Sequence, residues 1–150
     1  MNGFAIWRAF SPESAASSAS VDLLDLVGFA IFLVGLFIET AADLQKSHFN
    51  QHVSSGQQHI WVDTGLWSIS RHPNYFGENL VWLGMGLLSV GGIAGISVSS
   101  VALAAVSPLW SLFFLVFTSL MLLEKRADTK WGRKLAYEEY KKKTNVLGVW

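Results

Sequence analysis

The sequence contains no cysteine, and only 15% of its 150 residues are charged. Without cysteine there is no disulfide framework, no thiolate nucleophile and no cysteine-ligated metal site. The scarcity of charge accompanies a hydrophobic share of 51% and a mean hydropathy of +0.37. These values are unusual for a soluble domain, and the length suits a single domain. The composition therefore favours a membrane protein.

The few basic residues are concentrated at the C-terminal end. Eleven Lys and Arg residues balance eleven Asp and Glu residues, but eight of the basic ones follow Leu123. They are interleaved with Asp128, Glu138 and Glu139, as on an ordinary solvated helix. We therefore expect no nucleic-acid partner.

A long apolar run between Leu23 and Ala42 is interrupted only by Asp25 and Glu39. About 20 such residues cross a bilayer core as a helix, so the run predicts a membrane span. Glu39 and Asp43 are four positions apart at its end. Because carboxylates inside a membrane helix usually mark a functional cavity or a partner, we expect this pair to have a functional role.

A polar connection that contains His48, His52 and His59 is predicted over residues 47–64. His48 and His52 are four apart, which would be metal-ligand spacing on a helix. Neither a helix nor a third ligand is indicated there, so we expect solvated loop histidines and no metal site. Trp61, near the end of the connection, is suited to anchoring at the membrane interface.

The densest polar chemistry of the chain lies at the start of an apolar helix. Pro73 suits the first helical turn, because its missing N–H would be unpaired there anyway. A helix start needs one capping side chain, whereas this one offers several further hydrogen-bonding groups, which predicts a ligand site. These groups are Arg71, His72, Asn74, Tyr75 and Glu78.

Two more helical stretches follow. The helix that begins at Asn74 is expected to end near Gly91, after about 17 residues, which is short for a full span. Residues 96–123 carry no charge and contain Pro108, which allows either one kinked helix or two segments. We favour one kinked membrane helix.

The basic C-terminal stretch, residues 124–143, has the pattern of an amphipathic helix at the membrane surface. Trp131, Leu135 and Tyr140 would lie on or near one face, with lysines opposite. The positive-inside rule then places this tail in the cytoplasm. With three spans, the 47–73 loop faces the same side, where a soluble cofactor can reach it.

The predicted fold is an all-α, multi-pass membrane helical bundle with about three membrane helices and a C-terminal amphipathic helix. Residues 1–20 are expected to form a flexible segment without a cleaved signal peptide. Residues 21–150 are expected to form the membrane domain. The protein is therefore expected to be an integral membrane protein in contact with the lipid bilayer.

Three blocks of the sequence resemble, in order, the signature of the steroid 5-alpha-reductase C-terminal domain proteins, the DUF1295 group. Together they cover about residues 23–147. Sterol reductases, which use NADPH, and isoprenylcysteine carboxyl methyltransferases, which use S-adenosylmethionine, are related membrane enzymes. The blocks are Glu39-Thr-Ala-Ala-Asp-Leu-Gln-Lys46 with Phe49, Ser70-Arg-His-Pro-Asn-Tyr-Phe-Gly-Glu78 preceded by Gly65-Leu-Trp67, and Leu123-Glu-Lys-Arg126 with Tyr137 and Tyr140.

The resemblance implies the cofactor-binding half of a larger membrane reductase. The expected reaction is NADPH-dependent reduction of a carbon–carbon double bond conjugated to a carbonyl in a lipid or steroid-like substrate. Methyl transfer from S-adenosylmethionine is the first alternative, and a truncated protein without activity of its own is the second. Full-length relatives carry upstream membrane helices, so a further membrane subunit or missing N-terminal helices are expected partners. In a eukaryote the location would be the endoplasmic reticulum.

Physical chemistry assigns roles within the matching blocks. Lys46, Arg71 and Arg126 can bind phosphates, while Asp43 and Glu78 can accept hydrogen bonds from ribose hydroxyls or an amide. His72 could donate to a phosphate or orient Glu78. No catalytic residue is predicted. The expected cofactor-binding residues are Glu39, Asp43, Lys46, Arg71, His72, Asn74, Tyr75, Glu78, Glu124, Arg126, Tyr137 and Tyr140.

Overall fold

The computed structural model describes residues 22–53, 61–91 and 98–148, and the regular structure in these ranges is helical. The all-α prediction is confirmed for this part of the chain, while residues 1–20 and His59 lie outside it. The elements are α1 (Leu23–Val53), a 3-10 turn (Gly65–Ser68), α2 (Pro73–Gly91), α3 (Val98–Phe114), a π-helical turn (Leu115–Leu120), α4 (Met121–Trp131) and α5 (Leu135–Lys143).

Helix α1 is longer than the apolar run predicts. It continues for 31 residues to Val53, so the expected polar connection does not begin at residue 47. No glycine or proline occurs between Gly35 and Gly56 to interrupt the backbone hydrogen bonding. His48 and His52 are therefore exposed helical residues and not loop residues, with ring centroids 4.1 Å apart. Among the described residues, no group of three potential metal-binding side chains includes them.

Helix α2 begins at Pro73 as predicted and packs along α1. The backbones approach closely at two glycine pairs, Gly35 with Gly77 and Gly28 with Gly84. A Cβ atom added to Gly77 would lie 2.5 Å from the Glu39 backbone nitrogen, and one added to Gly84 would lie 2.6 Å from the Gly28 carbonyl oxygen. Small residues permit this spacing in helix pairs that lack a strong hydrophobic drive to associate.

The next apolar segment is a continuous helix from α3 through α4. Pro108 lies inside α3, and the irregular part is the π-helical turn at Leu115–Leu120. Helical structure continues on both sides of the proline, as in the single helix that the sequence favours, and the alternative of two separate segments is not found within residues 98–123.

The amphipathic helix predicted over residues 124–143 is divided into two. Its first part completes α4 at Trp131, and a turn through Gly132 separates it from α5. The expected shared face of Trp131, Leu135 and Tyr140 does not form, because Leu135 is 84% exposed whereas Trp131 and Tyr140 line one cavity. Helix α5 packs Tyr137 and Tyr140 against the loop between α1 and α2.

Two described helical stretches are long enough and apolar enough to cross a membrane: Leu23–His52 and Pro108–Trp131. The predicted third span, α2, does not reach that combination of length and apolarity. Large apolar side chains on the two candidate spans are exposed, among them Phe37 and Met121. Such side chains are suited to contact with lipid.

Candidate functional site

A cavity of about 330 Å³ lies where the end of α1, the loop after residue 61, the start of α2 and helices α4 and α5 meet. Nine of the twelve predicted site residues line it, although they come from three separate blocks of sequence. These are Lys46, Arg71, His72, Asn74, Tyr75, Glu124, Arg126, Tyr137 and Tyr140.

Arg71 is the most highly connected side chain of the cavity. Its Nε and Nη2 atoms donate to the Glu124 carboxylate, with Nη2 2.8 Å from Oε2. Its Nη1 atom donates to the carbonyl oxygens of Lys141 at 3.1 Å and Thr144 at 2.7 Å. Arg71 therefore holds α4 and the end of α5 to the start of α2. A ligand phosphate would have to share a guanidinium that already has protein partners.

His72 is fixed by the same carboxylate. Its Nε2 atom lies 2.7 Å from Glu124 Oε1, and its ring meets Tyr75 edge-on with centroids 5.9 Å apart. The expectation that His72 orients Glu78 is wrong, because the partner is Glu124. Glu124 thus forms hydrogen bonds with both residues that precede Pro73, Arg71 and His72. No local pattern in the sequence indicates this contact.

The residues that follow α5 form backbone hydrogen bonds with the residues that precede α2. The Arg71 N–H donates to the Asn145 carbonyl at 2.8 Å, and the Asn145 N–H donates to the Ile69 carbonyl at 3.3 Å. Ser70 is buried and donates through its hydroxyl to the Val146 carbonyl. The chain end therefore forms a short bridge beside the cavity, which sequence reasoning missed.

Two aromatic side chains complete this wall with satisfied polar atoms. The Tyr140 hydroxyl donates to the Trp67 carbonyl at 2.7 Å, and the Trp67 indole N–H donates to the Ala42 carbonyl at 3.0 Å. Ala42, Val62 and Trp67 form a buried apolar cluster. The Tyr140 hydroxyl thus connects α5 to the loop, and the Trp67 indole connects that loop to α1.

Replacing Tyr140 by phenylalanine is expected to lower the free energy of unfolding by about 1 kcal/mol, because the Trp67 carbonyl loses its donor. Denaturant titration in detergent at neutral pH measures this difference. A matched control is Tyr75→Phe, for which the structure shows no hydroxyl hydrogen bond among the described residues. Equal stability of the Tyr140 variant and wild type would contradict the role given to this hydroxyl.

The same substitution should change the alkaline pH dependence. Burial raises the pKa of Tyr140 above its ordinary value of 10.0. The unfolded hydroxyl therefore ionises before the folded one, and stability present below pH 10 is lost as pH rises further. Without this hydroxyl, the decline above about pH 10 should be shallower by up to about 1.4 kcal/mol per pH unit. Burial also raises the pKa of Tyr137. Because wild type and Tyr140→Phe both contain Tyr137, its contribution cancels in the comparison.

Three predicted carboxylates, Glu39, Asp43 and Glu78, do not line the cavity. Asp43 is connected to it indirectly, because its Oδ1 atom accepts a hydrogen bond from Asn74 Nδ2 at 3.1 Å. The Glu39 backbone packs against Gly77 at the contact between α1 and α2. The structure therefore divides the predicted set into a cavity wall and a separate acidic group beside it.

An aromatic cluster of Trp61, Trp131, Tyr137 and Tyr140 forms a further part of the cavity wall. Trp61 has its ring centroid 5.2 Å from Tyr137 and 6.1 Å from Trp131. Trp61 therefore contributes to the cavity wall, beyond the interfacial anchoring predicted for it. Sequence reasoning did not include either tryptophan in the site, and seven tryptophans in so short a chain were the available signal.

The lining carries an excess of positive charge. Its cationic side chains are Lys46, Arg71, Arg126 and Lys130, whereas Glu124 is its one carboxylate within the described residues. Lys46 Nζ lies 5.3 Å from the centre of a Trp67 ring, and Lys130 Nζ lies 4.8 Å from that of Trp131. Since Glu124 already pairs with Arg71, the remaining cations are available to an anionic ligand.

The described part of the chain thus defines a class: helical proteins with long apolar helices and a cationic, aromatic-lined cavity. The sequence profile of the family described as "Protein of unknown function (DUF1295)" matches residues 4–144, and the chain belongs to that family. No curated protein and no solved structure matches the chain.

Proposed function

We propose that this chain forms the NADPH-binding half of a membrane reductase that reduces a carbon–carbon double bond conjugated to a carbonyl in a lipid or steroid-like substrate. The observation that carries the proposal is the cavity with three cationic side chains beyond the Arg71–Glu124 pair. NADPH carries several phosphate charges, and cationic side chains are the groups that bind phosphate most strongly.

The cavity dimensions and lining fit one part of such a cofactor. At about 330 Å³ the cavity lies at the small end of ligand sites, so it would enclose one nucleoside half and leave the rest at its mouth. Aromatic faces on one wall offer stacking surfaces for a flat ring. Lys46, Arg126 and Lys130 are exposed residues at its edge, where phosphates could reach them.

Within this site, the chain's own residues would bind and orient the cofactor. Bound NADPH would supply a hydride. Tyr75 and Asn74 lie at the start of α2 with polar groups near the ligand space, and the Arg71–Glu124–His72 network fixes the wall behind them. The acceptor lipid would approach from the bilayer along the apolar helices.

A second candidate is methyl transfer from S-adenosylmethionine, and the aromatic wall favours it. Aromatic faces attract sulfonium and other cations. The four lining cations argue against it, because they would repel the sulfonium centre. NADPH therefore remains the better fit to the charge of the cavity.

Ligand-induced stabilisation of the purified protein in detergent separates these candidates. We expect NADPH, at about 100 times its dissociation constant, to raise the free energy of unfolding by about 2.7 kcal/mol, with S-adenosylmethionine having less effect. The reverse ranking would favour the methyltransferase. No stabilisation by either would favour a membrane protein without cofactor-dependent activity of its own.

A pair of charge variants tests the location of the site. Arg126→Gln removes a lining cation and is expected to weaken NADPH binding about tenfold. Arg133→Gln makes the same charge change at an exposed position outside the lining and should leave the affinity unchanged. An equal loss in both variants would indicate a general charge effect and would contradict a site at this cavity.

The membrane topology belongs to the same proposal. We place the α4–α5 end of the molecule in the cytoplasm because it carries the basic residues, and a eukaryotic protein of this kind in the endoplasmic reticulum. A further membrane subunit or additional helices would complete the lipid-binding part of the enzyme.

A further inference from the structure

Two indole N–H groups in the cavity wall are buried without a hydrogen-bond partner among the described residues: those of Trp61 and Trp131. Buried donors in folded proteins nearly always have a partner, so such exceptions mark a place for a water molecule or a ligand. The two residues are 70 positions apart in sequence, yet both line the cavity and their ring centroids are 6.1 Å apart.

The neighbouring aromatic groups show that the fold supplies partners where an aromatic residue has a structural role. Trp67 donates to the Ala42 carbonyl, and the Tyr140 hydroxyl donates to the Trp67 carbonyl. Trp61 and Trp131 pack against the buried Tyr137, with ring centroids 5.2 Å and 5.7 Å away. Their rings are therefore held in place, while their indole N–H groups have no hydrogen-bond partner in the described part of the chain.

The chemistry of an indole N–H restricts the kinds of group that can be its hydrogen-bond partner. It is a neutral donor that cannot accept, so the partner must offer an acceptor atom. Lys46, Arg126 and Lys130 surround the same space with positive charge. Neutral donors beside several cations suit an oxygen-rich anion, and phosphate esters are the groups of this kind that the proposed cofactor carries.

We propose that the indole N–H groups of Trp61 and Trp131 donate hydrogen bonds to phosphate-ester oxygens of the bound nucleotide. This inference rests on the proposed function and adds two specificity-determining residues to it. The two tryptophans bind oxygen acceptors directly, while the cations around them supply the attraction for charge.

Nuclear magnetic resonance of protein labelled with ¹⁵N at tryptophan tests this inference in the unmodified chain in detergent. Spectra of Trp61→Phe and Trp131→Phe assign the two indole signals among seven. Addition of NADPH should move both indole proton signals downfield, as hydrogen bonding does. The signal of Trp110, which is 66% exposed on α3, should not move.

Affinities give a second measurement. Each Trp→Phe variant keeps an aromatic ring but loses the N–H, so NADPH should bind about tenfold more weakly. Trp110→Phe is the matched control and should bind as wild type does. If one of the two variants fails to fold, the other still assigns its own indole signal, and the shift of that signal in the wild-type protein tests the inference.

Two further probes distinguish sources of phosphate: inorganic phosphate and a short-chain phosphatidic acid. Downfield shifts with NADPH, and not with either probe at equal concentration, would support the inference. Shifts with phosphatidic acid alone would overturn the nucleotide as the source. If NADPH stabilises the protein but moves neither signal, the proposed function stands and this inference is overturned. If NADPH neither stabilises the protein nor moves a signal, both are overturned.

Discussion

Replacing Arg71 with alanine is expected to lower the free energy of unfolding by about 3–5 kcal/mol. The substitution removes the guanidinium from Glu124, which keeps only His72, and at the same time removes the donor to the Lys141 and Thr144 carbonyl oxygens. The Arg71 side chain is 11% exposed, so solvent can replace few of these bonds. The cost arises mainly because a half-buried carboxylate keeps its charge after its counter-ion has gone. Denaturant titration of the ligand-free protein in detergent measures it.

Two variants control for charge and for geometry. Arg126→Ala removes the same charge from an exposed residue and should change stability by less than about 0.5 kcal/mol. Arg71→Lys keeps the charge, but a single ammonium group cannot reproduce the planar fork that contacts Glu124 and two carbonyls, so most of the loss should remain. Similar stabilities of Arg71→Ala and Arg126→Ala would contradict the network.

Because Arg71→Ala is expected to destabilise the fold, it is a poor test of cofactor binding. An alanine at position 71 would abolish cofactor binding whether or not Arg71 contacts the cofactor, because the residues that close the cavity would separate. Arg126 and the two tryptophans are better probes, since the ligand-free fold depends on their polar groups much less. Arg71 is first a structural residue of the cavity, and its contact with a phosphate remains a proposal.

The sequence predicts the parts of the fold that depend on local chemistry. The helix start at Pro73 follows from a missing N–H, and the first apolar helix follows from the length of an apolar run. The three matching blocks also bring nine of the twelve proposed residues to one cavity. The two helices are encoded within a few positions of where they appear, whereas the grouping of the three blocks follows from the family resemblance.

The features that were missed depend on contacts between distant residues. Glu124 pairs with Arg71 and His72 across more than 50 positions, and Asn145 pairs with Arg71 across 74. The turn at Gly132 lets α5 bring Tyr137 and Tyr140 to the cavity, whereas a continuous helix would carry them past it. No periodicity within residues 124–143 specifies that turn, because an isolated glycine is tolerated inside a helix.

Glycine-to-alanine substitutions at the α1–α2 contact are expected to be the next most damaging changes. Gly77→Ala would place a Cβ atom 2.5 Å from the Glu39 backbone nitrogen, and Gly84→Ala would place one 2.6 Å from the Gly28 carbonyl. Backbone atoms cannot rotate away as a side chain can, so the helices must separate. We expect each substitution to lower the free energy of unfolding by about 1–3 kcal/mol.

Gly86→Ala, on the same helix, is the matched control. Among the described residues, its Cβ atom would meet the ring carbons of Pro108, at 3.1 and 3.3 Å. Alanine is the better helix former by about 1 kcal/mol, and at Gly86 this gain should offset most of the mild crowding. The size of the effect therefore distinguishes the positions in titrations with a denaturing detergent. If Gly77→Ala and Gly84→Ala were as stable as Gly86→Ala, α1 and α2 could not pack as closely as described, and Asp43 and Lys46 on α1 would lose their fixed relation to the start of α2.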